Sequence, residues 1–284
     1  MSTATVSSAI KDANCRTPFS KRLKSQWWRH LLGIIAVVFA AFPLVYVLSA
    51  SLSPGGTLTG SNQLFSKIDF SNYSKLMSDP VRPYGRWYLN TVIIAAVTAI
   101  FTVFLGALAA YSFSRMRFKG RRGGLLALML VQMFPQLLTV VAGSRLALIM
   151  VYLGGALGAN TYLMYGFFNT VPQSLDEAAR MDGAGHARIF FTLILPLVAP
   201  ILAVVGLLSF IGSFTEYVVA SVILGADPHT STLAIGLYQY VSTETSSNWG
   251  VFAAGAVLAA LPPMVLFLWL QKYIVSGLTG GAVK

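Results

Sequence analysis

The chain has 284 residues, of which 56% are apolar and 10% charged. A soluble globular chain carries about 25% charged residues, so this composition excludes an ordinary soluble domain and describes a polytopic membrane protein. The formal net charge of +11 sits at the ends of apolar runs, the pattern of loops retained on the cytoplasmic side, and argues against nucleic acid as a partner.

Residues 1–29 are polar and basic, with Lys11, Arg16, Lys21, Arg22, Lys24 and Arg29 against Asp12. They have the charge of a signal-peptide n-region. The apolar run behind them is longer than an h-region, and no clear small-x-small site precedes the next polar loop. The reading is a cytoplasmic N-terminal segment, 1–29, followed by an uncleaved span.

A spanning helix needs about 20 mostly apolar residues. Six stretches qualify: Leu31 to Leu52, Tyr88 to Phe113, Gly124 to Ala142, Leu146 to Phe168, Leu197 to Leu224 and Val251 to Ile274. The expected fold is all-α, with six transmembrane helices inside residues 30–276 and a tail at 277–284. Pro43, Pro135 and Pro196 are expected to kink or interrupt helices. Residues 53–87 and 225–250 read as outer loops. Only Gly143, Ser144 and Arg145 connect spans 3 and 4, so either the hairpin is tight or Arg145 lies in the headgroup zone. Asn90 and Gln132 are amides of the kind that join helices, and Gly154 with Gly158 forms a GxxxG compatible with close packing.

Lys and Arg fix the orientation. Fifteen lie in the N-terminal segment, the 115–122 loop, the loop after span 4 and the tail. Five lie on the other side: Lys67, Lys75, Arg82, Arg86 and Arg145. Both termini are therefore expected in the cytoplasm, with the loop after span 4.

That loop, 172–196, is polar and helix-forming although apolar spans flank it. Ser174 followed by Glu177 reads as a capping box, so a helix is expected from Leu175 to Asp182. Asp176 and Glu177 suit the positive end of its dipole. Gly183 can take the left-handed conformation that ends it. A second helical segment, about His186 to Leu195, leads to Pro196. So short a helix is marginal in water unless it packs on a partner; Leu175 and Met181 are its exposed apolar candidates.

Glu177-Ala178-Ala179, Gly183 after three intervening residues, and Leu193-Ile194-Leu195-Pro196 together resemble the EAA loop of ABC-importer permeases. The rest of the chain is similar to the maltose/disaccharide (MalG-like) branch through AAYSFSRMRFKG (109–120), VQMFPQ (131–136), VYLGGALG (151–158), FTEYVVAS (214–221), STLAIGLYQY (231–240) and GLTGGAVK (277–284). The resemblance implies a type I importer permease in a bacterial inner membrane, with 172–196 as the helix that docks into an ATPase subunit. Ser174, Glu177, Ala178, Ala179, Asp182, Gly183 and Pro196 would form that coupling loop. The implied partners are a second permease chain in a heterodimer, an ATPase dimer and an extracytoplasmic sugar-binding protein. The implied cargo is maltose, maltodextrin or a related disaccharide such as trehalose. Gly277, Leu278, Thr279, Gly280 and Gly281 would be a second ATPase contact, set against the frayed terminus usual for a Gly-rich end. The short span 3–4 connection departs from the family pattern.

Glu216, in span 5, has two readings: a group on the translocation path or gate, or one near the span's outer end reaching interfacial water. No Gly-Lys dipeptide occurs, so there is no P-loop. Cys15 is the only cysteine, and His30, His186 and His229 are far apart in sequence, so no metal site is expected. The chain is expected to be no enzyme and to bind no cofactor, ATP-Mg belonging to the partner. The alternative is an ion-coupled secondary transporter acting alone, which would want more intramembrane carboxylates than Glu216.

Overall fold

Apolar sequence decides where helices run here; proline and short polar stretches decide where they break. The computed structural model describes residues 19–54, 64–65, 67–116, 118–131, 143–225, 227–242 and 249–280, and every regular element among them is helical. In chain order these are α1 (Phe19–Leu52), α2 (Ser71–Ser78), α3 (Tyr84–Arg115), α4 (Arg121–Val131), α5 (Arg145–Phe168) and α6 (Gln173–Met181). They continue as α7 (His186–Leu197), α8 (Ala199–Thr215), α9 (Val218–Leu224), α10 (Leu233–Ser242), α11 (Trp249–Ala259) and α12 (Leu261–Gly280).

Two units are distinguished, Met1–Leu48 and Ser49–Lys284. In the first, α1 begins inside the expected N-terminal segment and continues through Pro43. In the second, α3 packs on α5 and α8, and α8 packs on α12. The buried stripe of α3 runs Trp87, Asn90, Thr91, Ile94, Ala95, Thr98, Ala99, Thr102, Gly106, Ala107, Ala110 and Tyr111, a three-and-four spacing that keeps one face inward. Many of these residues are small or hydroxylated, while Leu89, Ile93, Ile100, Phe101 and Phe104 point outward. Lipid is as apolar as leucine, so small residues that let helices approach mark the inner face. Gly106 lets α5 in: a Cβ there would stand 3.2 Å from Met164 Sδ.

Four helices are long and apolar enough to cross a membrane: Trp27–Leu52, Tyr84–Arg115, Arg145–Phe168 and Trp249–Ile274. They match expected spans 1, 2, 4 and 6. Of span 3, α4 supplies the first part; residues 132–142, with Gln132 and Pro135, lie outside the described residues. Span 5 is not the continuous Leu197–Leu224 helix expected, being broken at Glu216–Tyr217. At its start α7 and α8 meet at a 79° bend, where Pro196 was expected to interrupt the helix. Pro196 and Pro200 lack the N–H that would carry a helix through Val198. At the Glu216–Tyr217 break, the Glu216 side chain replaces helix bonds, as described below. Of the GxxxG pair, Gly158 is buried while Gly154 has open space beside it. Two helices arise in stretches read as loops, α2 and α10; neither is long enough to span.

Candidate functional site

Pro172 stands at the N-cap of α6, and the helix begins at Gln173 rather than Leu175. Leu175 N–H donates to the Pro172 carbonyl at 3.3 Å. Ser174 therefore lies inside the first turn and makes no cap, and the expected capping box does not form. The start shifts because proline's fixed φ already suits a helix entrance, and proline offers no N–H for a reciprocal bond. The end is as expected. Gly183 has φ +78, Ala184 N–H reaches the Ala179 carbonyl at 2.9 Å, and Gly183 N–H reaches the Arg180 carbonyl at 2.9 Å. This pair of bonds is a Schellman motif, with Asp182 as its C-cap residue.

One face of α6 is buried and the other open. Asp176 and Ala179 face inward; Ser174, Glu177, Ala178, Arg180 and Asp182 are exposed. Met181 is 89% exposed and Leu175 44%. Ala179 joins a core with Tyr111, Phe168, Ile189, Phe190 and Ile194. Asp176 meets the last residue of α3: Arg115 Nε lies 2.9 Å from Asp176 Oδ2, with the side chains only 2% and 5% exposed. Arg115 Nη2 also donates to the Val171 carbonyl at 2.7 Å. Beside them, Ser114 Oγ donates to Asn169 Oδ1 at 2.9 Å. A polar cavity of about 590 Å³ opens there, lined by Arg115, Met116, Gln173, Asp176, Glu177, Arg180 and His186.

Beyond Gly183 the chain turns at Gly185 into α7. Residues Ile189–Ile194 form a π-turn, and Leu195 N–H donates to Phe190 O, five residues back. Such a widened turn accommodates the ring of Pro196, which would clash with a carbonyl four residues earlier in a regular helix. Pro196 is exposed.

Glu216 stands at the far end of α8. Its carboxylate accepts from Val219 N–H at 2.8 Å, Ala220 N–H at 2.9 Å and Tyr152 hydroxyl at 2.8 Å. It thus caps α9 and ties it to α5. Of the tail residues, Gly277, Leu278, Thr279 and Gly280 continue α12; Gly281 lies outside the described residues.

At the N-terminal end of α3, mainly neutral groups hold the segment before α10, with Arg86 Nη1 2.7 Å from His229 Nδ1. Trp87 Nε1 donates to Pro228 O at 2.8 Å. Asn90 Nδ2 donates to His229 O at 3.1 Å and Ser231 O at 3.0 Å. Leu233 N–H donates to Thr91 Oγ1 at 2.7 Å. Asn90 therefore holds a loop rather than a neighbouring span. Gly236 of α10 lies directly on the Trp87 ring, where any Cβ would overlap it. Burial, and after it the Asp79 carboxylate, push the Tyr240 hydroxyl up to about 12, so it stays protonated 3.3 Å from Asp79 Oδ2. Arg145 joins this end through its Nη2 and His229 O, 3.3 Å apart. Gly143, at φ +92, donates to Ile223 O at 2.6 Å.

A profile described as "Binding-protein-dependent transport system inner membrane component" matches residues 103–280, from the middle of α3 through α12. The chain belongs to this family. Its relatives include the maltodextrin transport system permease MdxG of Bacillus subtilis (strain 168), 38% identical, covering 89% of this chain and 93% of that protein. The galactooligosaccharides permease GanQ of the same organism is also 38% identical, covering 89% and 93%. The maltose/maltodextrin permease MalG of Escherichia coli (strain K12) is 37% identical over 90% and 94%. A chain of a bacterial ABC transporter that imports the acidic polysaccharide alginate shares the fold, with TM-score 0.75, 26% identity, and 90% and 99% coverage. As an inner-membrane component of a binding-protein-dependent system, the chain is a permease subunit and not itself catalytic. The ion-coupled alternative gives way to this membership.

Within this permease, the structure brings Glu177, Ala178, Ala179, Asp182 and Gly183 onto one helix and its cap. It does not bring Glu216 to them. The Arg115–Asp176 pair was missed. In sequence Arg115 reads as a topology charge and Asp176 as a dipole partner, and only the folded loop joins them.

Proposed function

We propose that this permease forms half of the translocation pathway of an ABC importer for a glucose- or galactose-based oligosaccharide, with maltodextrin the leading candidate. ATP-Mg binds to a partner ATPase dimer. A different permease chain completes the pathway, and an extracytoplasmic binding protein delivers the sugar. The observation that carries this reading is α6: a capped helix anchored on one face and open on the other, with Glu177, Leu175 and Met181 offered outward. A short helix of this kind gains stability by docking. The Lys/Arg distribution supports placing α6, both termini and the start of α12's final turns on the cytoplasmic side. The names of the 37–38% identical relatives support the sugar class.

In operation, ATP binding closes the ATPase dimer, α6 moves with it, and the spans rock between inward- and outward-facing states. ATP shifts that equilibrium only through its differential affinity for the two states. The test is purification of the tagged chain from its native membrane with mass spectrometry of what accompanies it, beside a variant lacking residues 177–183. A P-loop ATPase and a second permease are expected with the parent, and loss of the ATPase with the deletion. A parent chain that purifies alone overturns the reading.

A further inference from the structure

α6 has an apolar anchor in Ala179, yet it carries a second attachment made of charge. Arg115 ends α3, where the helix dipole favours a cation. Its guanidinium holds two points of the following loop: the Val171 carbonyl at 2.7 Å and Asp176 Oδ2 at 2.9 Å. These points bracket Pro172 and the first turn of α6. Both charged side chains are almost fully buried. Buried ion pairs are poor sources of stability, and apolar residues of equal volume often do better. What such a pair supplies is a defined position, because one guanidinium holds the Val171 carbonyl by a directed bond and Asp176 by a close charge contact, where methyl groups could slide.

The contact is also one-armed. Nε and Oδ2 form a close charge contact rather than an aligned hydrogen bond, and Asp176 Oδ1 has no hydrogen-bond partner among the described residues. Asp176 itself lines the polar cavity shared with Gln173, Glu177, Arg180 and His186. The pair therefore fixes a point of α6 more firmly than an angle.

We propose that Arg115 and Asp176 are a positioning pair for transport. They pin the start of α6 to the end of α3, so that displacement of α6 is passed to the most central helix of the bundle instead of being lost as sliding. This rests on the reading of α6 as the ATPase-docking helix.

The test uses the whole importer, with its partner subunits and binding protein, in liposomes, and labelled maltotriose as cargo. Uptake and ATP hydrolysis are measured together. In the double variant Arg115→Met with Asp176→Leu, the ATPase is expected to co-purify at parental yield and to hydrolyse ATP. Sugar carried per ATP should fall about tenfold or more, as misplacement effects do. Arg115→Lys, which keeps the charge but loses the planar guanidinium fork, should fall between. If the double variant fails to assemble, Asp176→Asn, of the same shape without the charge, carries the same test. Parental uptake per ATP in an assembled variant overturns the proposal. Loss of the ATPase from Asp176→Asn overturns it too, since the pair would then build the docking surface rather than transmit through it. A parent complex that neither hydrolyses ATP nor takes up sugar would strike the functional reading itself.

Discussion

The two ends of α3 are held by different chemistry. At its C-terminal end, a buried guanidinium and carboxylate fasten a short exposed helix. At its N-terminal end, an indole, an amide and a hydroxyl on neighbouring turns bond to backbone groups from Pro228 to Leu233. The N-terminal end follows the contour of a whole loop chiefly through its backbone groups, with Arg86 Nη1 2.7 Å from His229 Nδ1 beside them. The charged end adds one buried pair to the Ala179 anchor, and removing either member of the pair leaves a buried charge uncompensated. The difference separates two kinds of attachment: many modest bonds along a loop at one end, and at the other a charge pair beside a small apolar anchor on the helix to which the proposed function assigns the work.

That contrast can be broken most severely at Gly236. A side chain there would occupy the space of the Trp87 ring. Gly236→Leu is expected to cost about 3 kcal/mol through overpacking, read as a lowered Tm of the purified protein in detergent. An unchanged Tm would mean that the indole swings aside at little cost, and the N-terminal end would not be the rigid one. Thr91→Val is the next largest. It leaves the buried Leu233 N–H without its acceptor, for about 2 kcal/mol, whereas Thr91→Ser keeps the oxygen and should stay near the parent. Equal Tm values for the two variants would remove the hydroxyl from the account. The smallest effect is at the C-terminal end. Gly183→Ala faces open space but must hold φ +78, a cost of about 1 kcal/mol. Hydrogen exchange should quicken at the Ala184 amide, which closes the α6 cap, with no change around residues 228–233. Exchange spreading to both ends would show that they are one cooperative unit.

Much of this architecture was legible as sequence, for reasons that differ by element. α3 and α5 were readable because no charge interrupts them for the length of a span and lipid selects for that. The Gly183 stop was readable because few residues other than glycine tolerate positive φ. The start of α6 was not: Ser174 and Glu177 fit a capping box, but Pro172 initiates the helix earlier. The break at Glu216 was hidden because its acceptor role needs Val219, Ala220 and the distant Tyr152 in place. α10 was hidden by its length, since a search for spans passes over ten residues. The Arg115–Asp176 contact joins two separate stretches, and neither spacing nor composition announces it.

Trp87 gives the N-terminal end of α3 an optical signature. Its ring is fully buried, lies edge-on to Tyr240 with centroids 6.4 Å apart and donates its indole proton to Pro228. An indole shielded in this way emits at short wavelength, and admitting water moves the emission to the red. With Trp27, Trp28, Trp249 and Trp269 replaced by phenylalanine, the chain would carry one native fluorophore at the seat of α10. No dye or label is then needed to watch, in real time, whether that end stays dry while the other does work.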